Sequence, residues 1–449
     1  MSQENKMFFK KLAKVAPPLM VQELLNGMVN LITTFMILNV MGIEEISAIG
    51  ISNQIFFAYS LAVAGIVHGC SVFIGQYHGK GGEAGSEQSN IYKVLGVGFT
   101  LIISLAALII LVAIFVPHWL FSVFTNDQVV SYLGVSYFRF SILSYLLFSI
   151  VFLRNGALRM VGFARIPMFT TSVSLVVSFS LNYLFIFVLN SPIYILALAP
   201  VVARASELLA QEFFIKKYKI AIKATPKQYF SYDLAFAKKY FKVGAFIIAT
   251  MVVRAFAISG YLAAYGETGV YQFGALQIAT PMLQMFQIFG SAIGVSAGVI
   301  ISNTLGAGER ELAIRYSRKC LIYGVLLSLT MAGLLILTAP LILSAFNIEA
   351  NIAHYVYRIL IVTGLGMALR TVNFTNIGGI LRGGGDTKFG FFVVVIGVLG
   401  LGVPLSLLGA HIWGLPIYFV VALVYVEELF KAIVGTKRVL TNKWANRLV

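Results

Sequence analysis

Residues 93–116 read KVLGVGFTLIISLAALIILVAIFV, and after Lys93 the chain carries no Asp, Glu, Lys or Arg until Asp127. Such a run offers water no polar face, yet it matches the roughly 20 residues a helix needs to cross a bilayer. Comparable runs recur. The pattern predicts helices at 15–38, 46–74, 93–116, 128–152, 166–189, 192–215, 240–265, 270–302, 316–345, 350–378, 388–410 and 412–436. Runs this long suit spanning helices and not barrel strands, which need only about ten residues. The longer ones imply tilt or extension past the bilayer.

Composition agrees. Of 449 residues 59% are apolar and 11% charged, with mean hydropathy +0.90, against about 25% charged in soluble domains. Surface grows too fast with mass for a water-soluble fold to hide so much apolar area. In a bilayer the backbone must bond to itself, which selects helices. The expected class is therefore an all-α integral membrane protein with twelve transmembrane helices.

The net charge of +16 could point to nucleic acid, but its placement assigns it to the membrane. Taking the N-terminus as the first side, every second connection is basic. Lys6, Lys10, Lys11 and Lys14 open the chain; Lys80 and Lys93, Arg159 and Arg165, the stretch from Lys216 to Lys242, Arg310 to Lys319, and Arg382 with Lys388 follow; Lys437, Arg438, Lys443 and Arg447 close it. The intervening connections hold Glu44, Glu45, Asp127, Glu267 and Glu349 instead. This alternation predicts an even helix count and both termini in the cytoplasm of a cell inner or plasma membrane. The first helix serves as its own targeting signal, with no cleaved leader expected. Cys70 and Cys320 make no disulfide or zinc pattern, and the five histidines lack ligand spacing.

The sequence is duplicated. Lys10-Lys11-x-x-Lys14-Val15 recurs as Lys238-Lys239-x-x-Lys242-Val243, Gln54-Ile55 as Gln277-Ile278, Pro117 with Phe124 and Asn126 as Pro340 with Phe346 and Asn347, and Leu158-Arg159-x-x-Gly162 as Leu381-Arg382-x-x-Gly385. Two six-helix lobes, 1–215 and 240–449, are expected to flank a cytoplasmic connector at 216–239. An even number of helices per repeat gives both lobes one orientation, with a solute site between them.

Polar side chains within the spans are candidates for that site, because hydrocarbon tolerates them badly. On the first helix Glu23, Asn26 and Asn30 share a face, with Thr34 a turn further on. Glu23 reads either as a proton or cation site or as a boundary carboxylate paired with a lysine. Arg254 lies in the seventh span, Arg370 and Asn373 in the tenth, Asn182 in the fifth, and Gln277, Gln284 and Gln287 in the eighth. A buried guanidinium needs a carboxylate, carbonyls or an anionic ligand. The glutamines read equally as helix–helix hydrogen bonds. Gly290, Gly294 and Gly298 read as close backbone packing, and the run from Gly383 to Lys388 as a tight turn with Asp386 or Thr387 starting the next helix.

Several of these motifs carry a family likeness. Leu381-Arg382-Gly383-Gly384-Gly385-Asp386-Thr387-Lys388, its copy Ala157-Leu158-Arg159-x-x-Gly162-x-x-Arg165-x-Pro167, Leu305-Gly306-Ala307-Gly308-Glu309, and Asn30-Leu31-Ile32-Thr33-Thr34 resemble the multidrug and toxic compound extrusion (MATE) family. The resemblance covers essentially the whole chain. It implies two six-helix lobes in a V and an antiporter that exports organic, often cationic, compounds against inward flow of protons or sodium. The family's first-helix Asp, a coupling residue, corresponds here to Thr33; its fifth-helix Asn corresponds to Asn182; its seventh-helix Glu falls at Met251, three residues before Arg254. The usual coupling carboxylates are thus missing or moved: either Glu23 has taken the role, or coupling differs, or classical exchange is lost. The cationic residues favour neutral, zwitterionic or anionic solutes.

The expected function is a monomeric secondary transporter of a small organic solute, working by alternating access. The alternatives are a flippase for a lipid-linked or amphipathic substrate, and a non-transporting membrane partner or sensor. No nucleophile–base pair or metal cluster suggests an enzyme. No cofactor is expected beyond a coupling proton or sodium ion, and no nucleic-acid partner.

Overall fold

The computed structural model describes residues 3–38, 40–81, 86–345 and 350–449, and the side chains of these apart from 29–31, 34, 35, 38, 86, 342, 345 and 350. Asn30 and Thr34 therefore lie outside the described side chains, and Phe346, Asn347 and Glu349 outside the described residues. Every described regular element is helical. Among the described residues twelve long rods follow one another. The first six are α1 (Gln3–Leu38), α2 (Ile43–Gly79), α3 (Ser86–Phe115), α4 (Gln128–Met160), α5 (Arg165–Val188) and α6 (Ile193–Lys217). The second six are α7 (Leu234–Glu267), α8 (Val270–Gly306), α9 (Arg310–Ala345), α10 (Asn351–Leu381), α11 (Thr387–Ile412) and α12 (Ile417–Leu440). Short helices Pro117–Ser122 and Pro226–Tyr229 sit in the connections.

Ten of the rods are long and apolar enough to span a bilayer on those grounds alone; α1 and α12 complete the twelve. Leu108, Ile114, Phe256, Leu337 and Leu341 stand exposed, as apolar side chains do where hydrocarbon is the solvent. Several rods run past the apolar limits, α2 to Gly79 and α3 back to Ser86, because helical turns continue into polar sequence that hydropathy does not mark. Residues 184–188, 374–381, 396–402 and 408–412 are wound more widely, with i→i+5 hydrogen bonding.

The rods gather into two compact units, residues 21–74 with 82–241, and residues 1–20, 75–81 and 242–449. These differ from the chain-order expectation of 1–215, 216–239 and 240–449 in short segments only. Residues 1–20 join the second half because Phe8, fully buried, packs its ring 5.3 Å from Tyr316 and 5.9 Å from Tyr323. Residues 75–81 join it because Gln76 donates to the carbonyls of Gly383 and Asn446 at 3.0 and 3.2 Å and accepts from the Leu448 amide at 2.7 Å. The connector folds onto the first unit. Tyr229 lies edge-on to Phe99 at 5.2 Å, and the Tyr232 and Thr100 hydroxyls share a 2.6 Å hydrogen bond.

Within the first unit α6 packs against α4 and α5, and α4 against α3. Within the second, α8 packs against α9 and α10, and α10 against α12. The glycine steps of α8 permit its approach to α10: a methyl at Gly294 would lie 2.8 Å from the Phe374 carbonyl oxygen. The turn after α10 closes on Gly385 at φ +75°, the left-handed region that favours glycine. Asp386 then precedes Thr387, the first residue of α11. Arg438 Nε donates to the Asp386 carboxylate at 2.7 Å, and the Thr387 hydroxyl donates to the Val243 carbonyl at 2.9 Å.

Candidate functional site

A carboxylate inside a helix bundle must be surrounded by donors, because leaving it bare in a low-dielectric interior is costly. Each unit encloses one such centre, on the last rod of its half.

In the first unit the centre is Glu207 on α6, fully buried. Its Oε1 accepts from the Thr171 hydroxyl of α5 at 2.7 Å and from Asn155 Nδ2 of α4 at 3.4 Å. Its Oε2 accepts from Arg204 Nη1, one turn back on α6, at 2.7 Å. The network continues outward on both sides. Gln22 of α1 donates to Thr171 Oγ1 at 2.8 Å and accepts from Arg159 Nη2 at 2.9 Å. Gln211, a turn beyond Glu207 and also fully buried, donates to Asn155 Oδ1 at 2.8 Å. One line of hydrogen bonds thus ties α1, α4, α5 and α6 to a single carboxylate. Nearby, Arg154 of α4 pairs with Glu212 of α6 at 3.2 Å.

In the second unit the centre is Glu427, Glu428 and Lys431 on α12. Lys431 lies between the two acids, bonded to Glu427 and 3.1 Å from Glu428 Oε1. The Tyr261 hydroxyl of α7 donates to Glu427. Asn373 Nδ2 of α10 donates to Glu428 Oε2 at 2.6 Å and to the Glu428 carbonyl at 2.8 Å. Arg370, one turn back on α10, donates to Gln287 Oε1 of α8 at 3.1 Å and lies over the Tyr425 ring at 5.3 Å. Two acids and two bases balance in charge, and the helices they join are α7, α8, α10 and α12. The buried Arg370 Nε and Asn373 Oδ1 have no hydrogen-bond partner, so the network retains polar capacity that its own residues do not fill.

The residues singled out from the sequence are distributed unevenly. Arg370, Asn373 and Gln287 meet in the second network. Glu23 is half-buried on α1, and its charge acts together with that of Glu207 on Arg159. Asn26 and Thr33 are half-buried on α1, while Gln277 and Gln284 are exposed on α8. Asn182 is buried on α5, its amide 3.4 Å from the Ser178 hydroxyl. Arg254 stands outside both networks, with its guanidinium 5.6 Å from the Phe374 ring centre.

Glu207, Gln211, Glu427, Glu428 and Lys431 are not among the residues singled out from the sequence. A signal was present. Glu207 and Gln211 are four residues apart, as are Glu427 and Lys431, and the two glutamates lie 220 residues apart, close to the repeat interval. Lys216, Lys217, Lys437 and Arg438 follow within three turns and make these acids look like part of a cytoplasmic helix end. Among the described residues, no group of three or more His, Cys, Asp or Glu could hold a metal ion.

Comparison with known proteins places this architecture. The MatE family model matches residues 18–184 and 244–408, one match in each half. A probable multidrug resistance protein, YoeA of Bacillus subtilis (strain 168), is 21% identical over 445 residues, covering 94% of this chain and 93% of its own. The multidrug and toxin extrusion protein 1 of Oryctolagus cuniculus is 25% identical over 228 residues, covering 50% of this chain and 39% of its own. Among solved structures, a MATE protein in its straight conformation has the same fold at TM-score 0.86 and 16% identity, covering 97% of this chain and 96% of its own.

Proposed function

Because the chain belongs to the MatE family, and is thereby a multi-pass membrane transporter and not an enzyme, we propose that it is a secondary antiporter. It exports a small organic solute by alternating access of two six-helix lobes, as a monomer in the cell inner or plasma membrane. The alternation of basic and acidic connections supports a cytoplasmic location for both termini. An inward gradient of protons or sodium drives the cycle.

The observation that carries this reading is the pair of buried carboxylate networks, Glu207 in one half and Glu427 with Glu428 in the other. A carboxylate carries no proton of its own and only accepts hydrogen bonds. A proton arriving on Glu207 turns an acceptor into a donor, so the bonds from Arg204 and Thr171 cannot both persist. The chain through Thr171, Gln22 and Arg159 must then reorient, and it spans α1, α5 and α4. A sodium ion would compete for the same oxygens. Ion arrival at one atom therefore changes the bonding of four helices, which is what coupling an ion to a conformational cycle requires. Glu23, exposed to the same Arg159, would act in support of Glu207 and not as the primary site.

The test is flux. In proteoliposomes carrying the full chain, a pH or sodium gradient should drive transport of at least one member of a mixed panel of metabolites and drugs. No flux under either gradient, across cationic, neutral and anionic solutes, refutes the proposal.

A further inference from the structure

Arg382 carries a charge that the two networks do not use. It stands at the C-cap of α10, just before the turn into α11, and its guanidinium has no hydrogen-bond or ion-pair partner among the described residues. It lines an open-sided crevice whose other walls include Ile247, Thr250, Leu381, Thr387 and Phe391. Arg254 adds a second positive charge to the field at Arg382. The one acid on the crevice wall, Asp386, is bonded to Arg438, whose guanidinium also lies 4.7 Å from the Phe389 ring centre. Burial first, and Arg254 second, push the Arg382 guanidinium down to about 9, so it remains a cation at neutral pH.

A guanidinium half-withdrawn from water beside another cation is unfavourable until an anion completes it. The wall leaves the choice of anion narrow. The Thr250 and Thr387 hydroxyls give their protons to the Phe246 and Val243 carbonyls at 2.7 and 2.9 Å. The directed bonds to a ligand must then come from Arg382, whose planar fork matches two oxygens of one phosphate. The Asp386 side chain makes no cap on α11, so first-turn amides of that helix face the same end. Ile247, Leu381 and Phe391 would suit the apolar part of a lipid better than a hydrated ion. The turn lies on the basic side of the chain, where the inner leaflet presents anionic lipid.

We infer that this crevice of α7, α10 and α11 binds an anionic phosphate, carried by a phospholipid headgroup or free in solution. The full chain is placed in nanodiscs of phosphatidylcholine, with or without phosphatidylglycerol, and separately in phosphatidylcholine nanodiscs with inorganic phosphate. Retained lipid is counted by native mass spectrometry, and the melting midpoint is followed for both probes. Phosphatidylglycerol should be retained selectively and raise the midpoint; if the ligand is free phosphate, phosphate alone raises it. Arg382→Gln should weaken the preferred probe by about tenfold or more. Gly390→Val fills the crevice and spares the arginine. A first carbon there would lie 3.4 Å from Ile377 Cγ2, an ordinary contact, so the fold should survive; this variant should lose the probe equally. No preference for either probe in the wild type, or full retention by either variant, overturns the inference.

Discussion

Glu207→Gln should destabilise the first unit by about 2–3 kcal/mol, and most of that loss should vanish when Arg204 is already absent. The carboxylate accepts two short bonds, from Thr171 and Arg204, both 2.7 Å, and a long one from Asn155 at 3.4 Å. Gln keeps one acceptor oxygen and places an amide donor against Arg204 or Thr171, so one of the short bonds becomes a donor facing a donor. Breaking a fully buried ion pair costs roughly 3–5 kcal/mol. The Arg204 side chain is 29% exposed, however, against 0% for Glu207. The freed guanidinium can partly rehydrate, which lowers the loss to about 2–3 kcal/mol. The assay is equilibrium unfolding in mixed micelles for the wild type, Glu207→Gln, Arg204→Gln and the double variant. A coupling energy above about 1 kcal/mol is expected. Additivity within about 0.5 kcal/mol, or a Glu207→Gln protein as stable as the wild type, would refute the reading of Glu207 as the centre of its network.

Three further perturbations probe the second unit. Asn373→Ala removes the bonds to the Glu428 carboxylate and carbonyl at 2.6 and 2.8 Å, and should cost about 1–3 kcal/mol in the same unfolding assay. Gly294→Leu puts its first carbon 2.8 Å from the Phe374 carbonyl oxygen, so a loss of about 1–3 kcal/mol from forced separation of α8 and α10 should appear as a lower melting midpoint. At the N-terminus the Glu4 carboxyl is held below its usual range, first by its hydrogen bond to Lys319 at 2.6 Å. A depressed carboxyl contributes stability above its unfolded value of about 4.3 and loses it as pH falls through the lower folded value. The acid side of the midpoint-versus-pH curve should therefore be shallower in Glu4→Gln than in the wild type; identical curves would count against the anchor.

The rods were legible in the sequence because hydropathy and charge alternation both report on the bilayer, which acts on every helix alike. The duplication was legible because each half keeps its own Arg-Gly turn, at Arg159 and at Arg382. The close packing read from Gly290, Gly294 and Gly298 matches the approach of α8 to α10, since a bare backbone face admits few other uses. The networks were less legible. Arg370, Asn373 and Gln287 stand out singly as polar residues in apolar runs, but Glu207 and Glu427 lie near basic helix ends and are hidden by them. Which donors converge on those acids is a tertiary fact. Thr171 and Gln22 are 149 residues apart, and nothing local in either stretch announces that they bond. The placement of 1–20 and 75–81 with the second half depends likewise on Phe8 and Gln76 finding partners about three hundred residues away.

Solute-driven proton or sodium movement into proteoliposomes, read with an internal pH- or sodium-sensitive dye, tests the central claim most directly. With a solute that the wild type transports, Glu207→Gln and Glu427→Gln should each fold, bind the solute and fail to move the ion. Unimpaired ion movement in both variants would contradict the account.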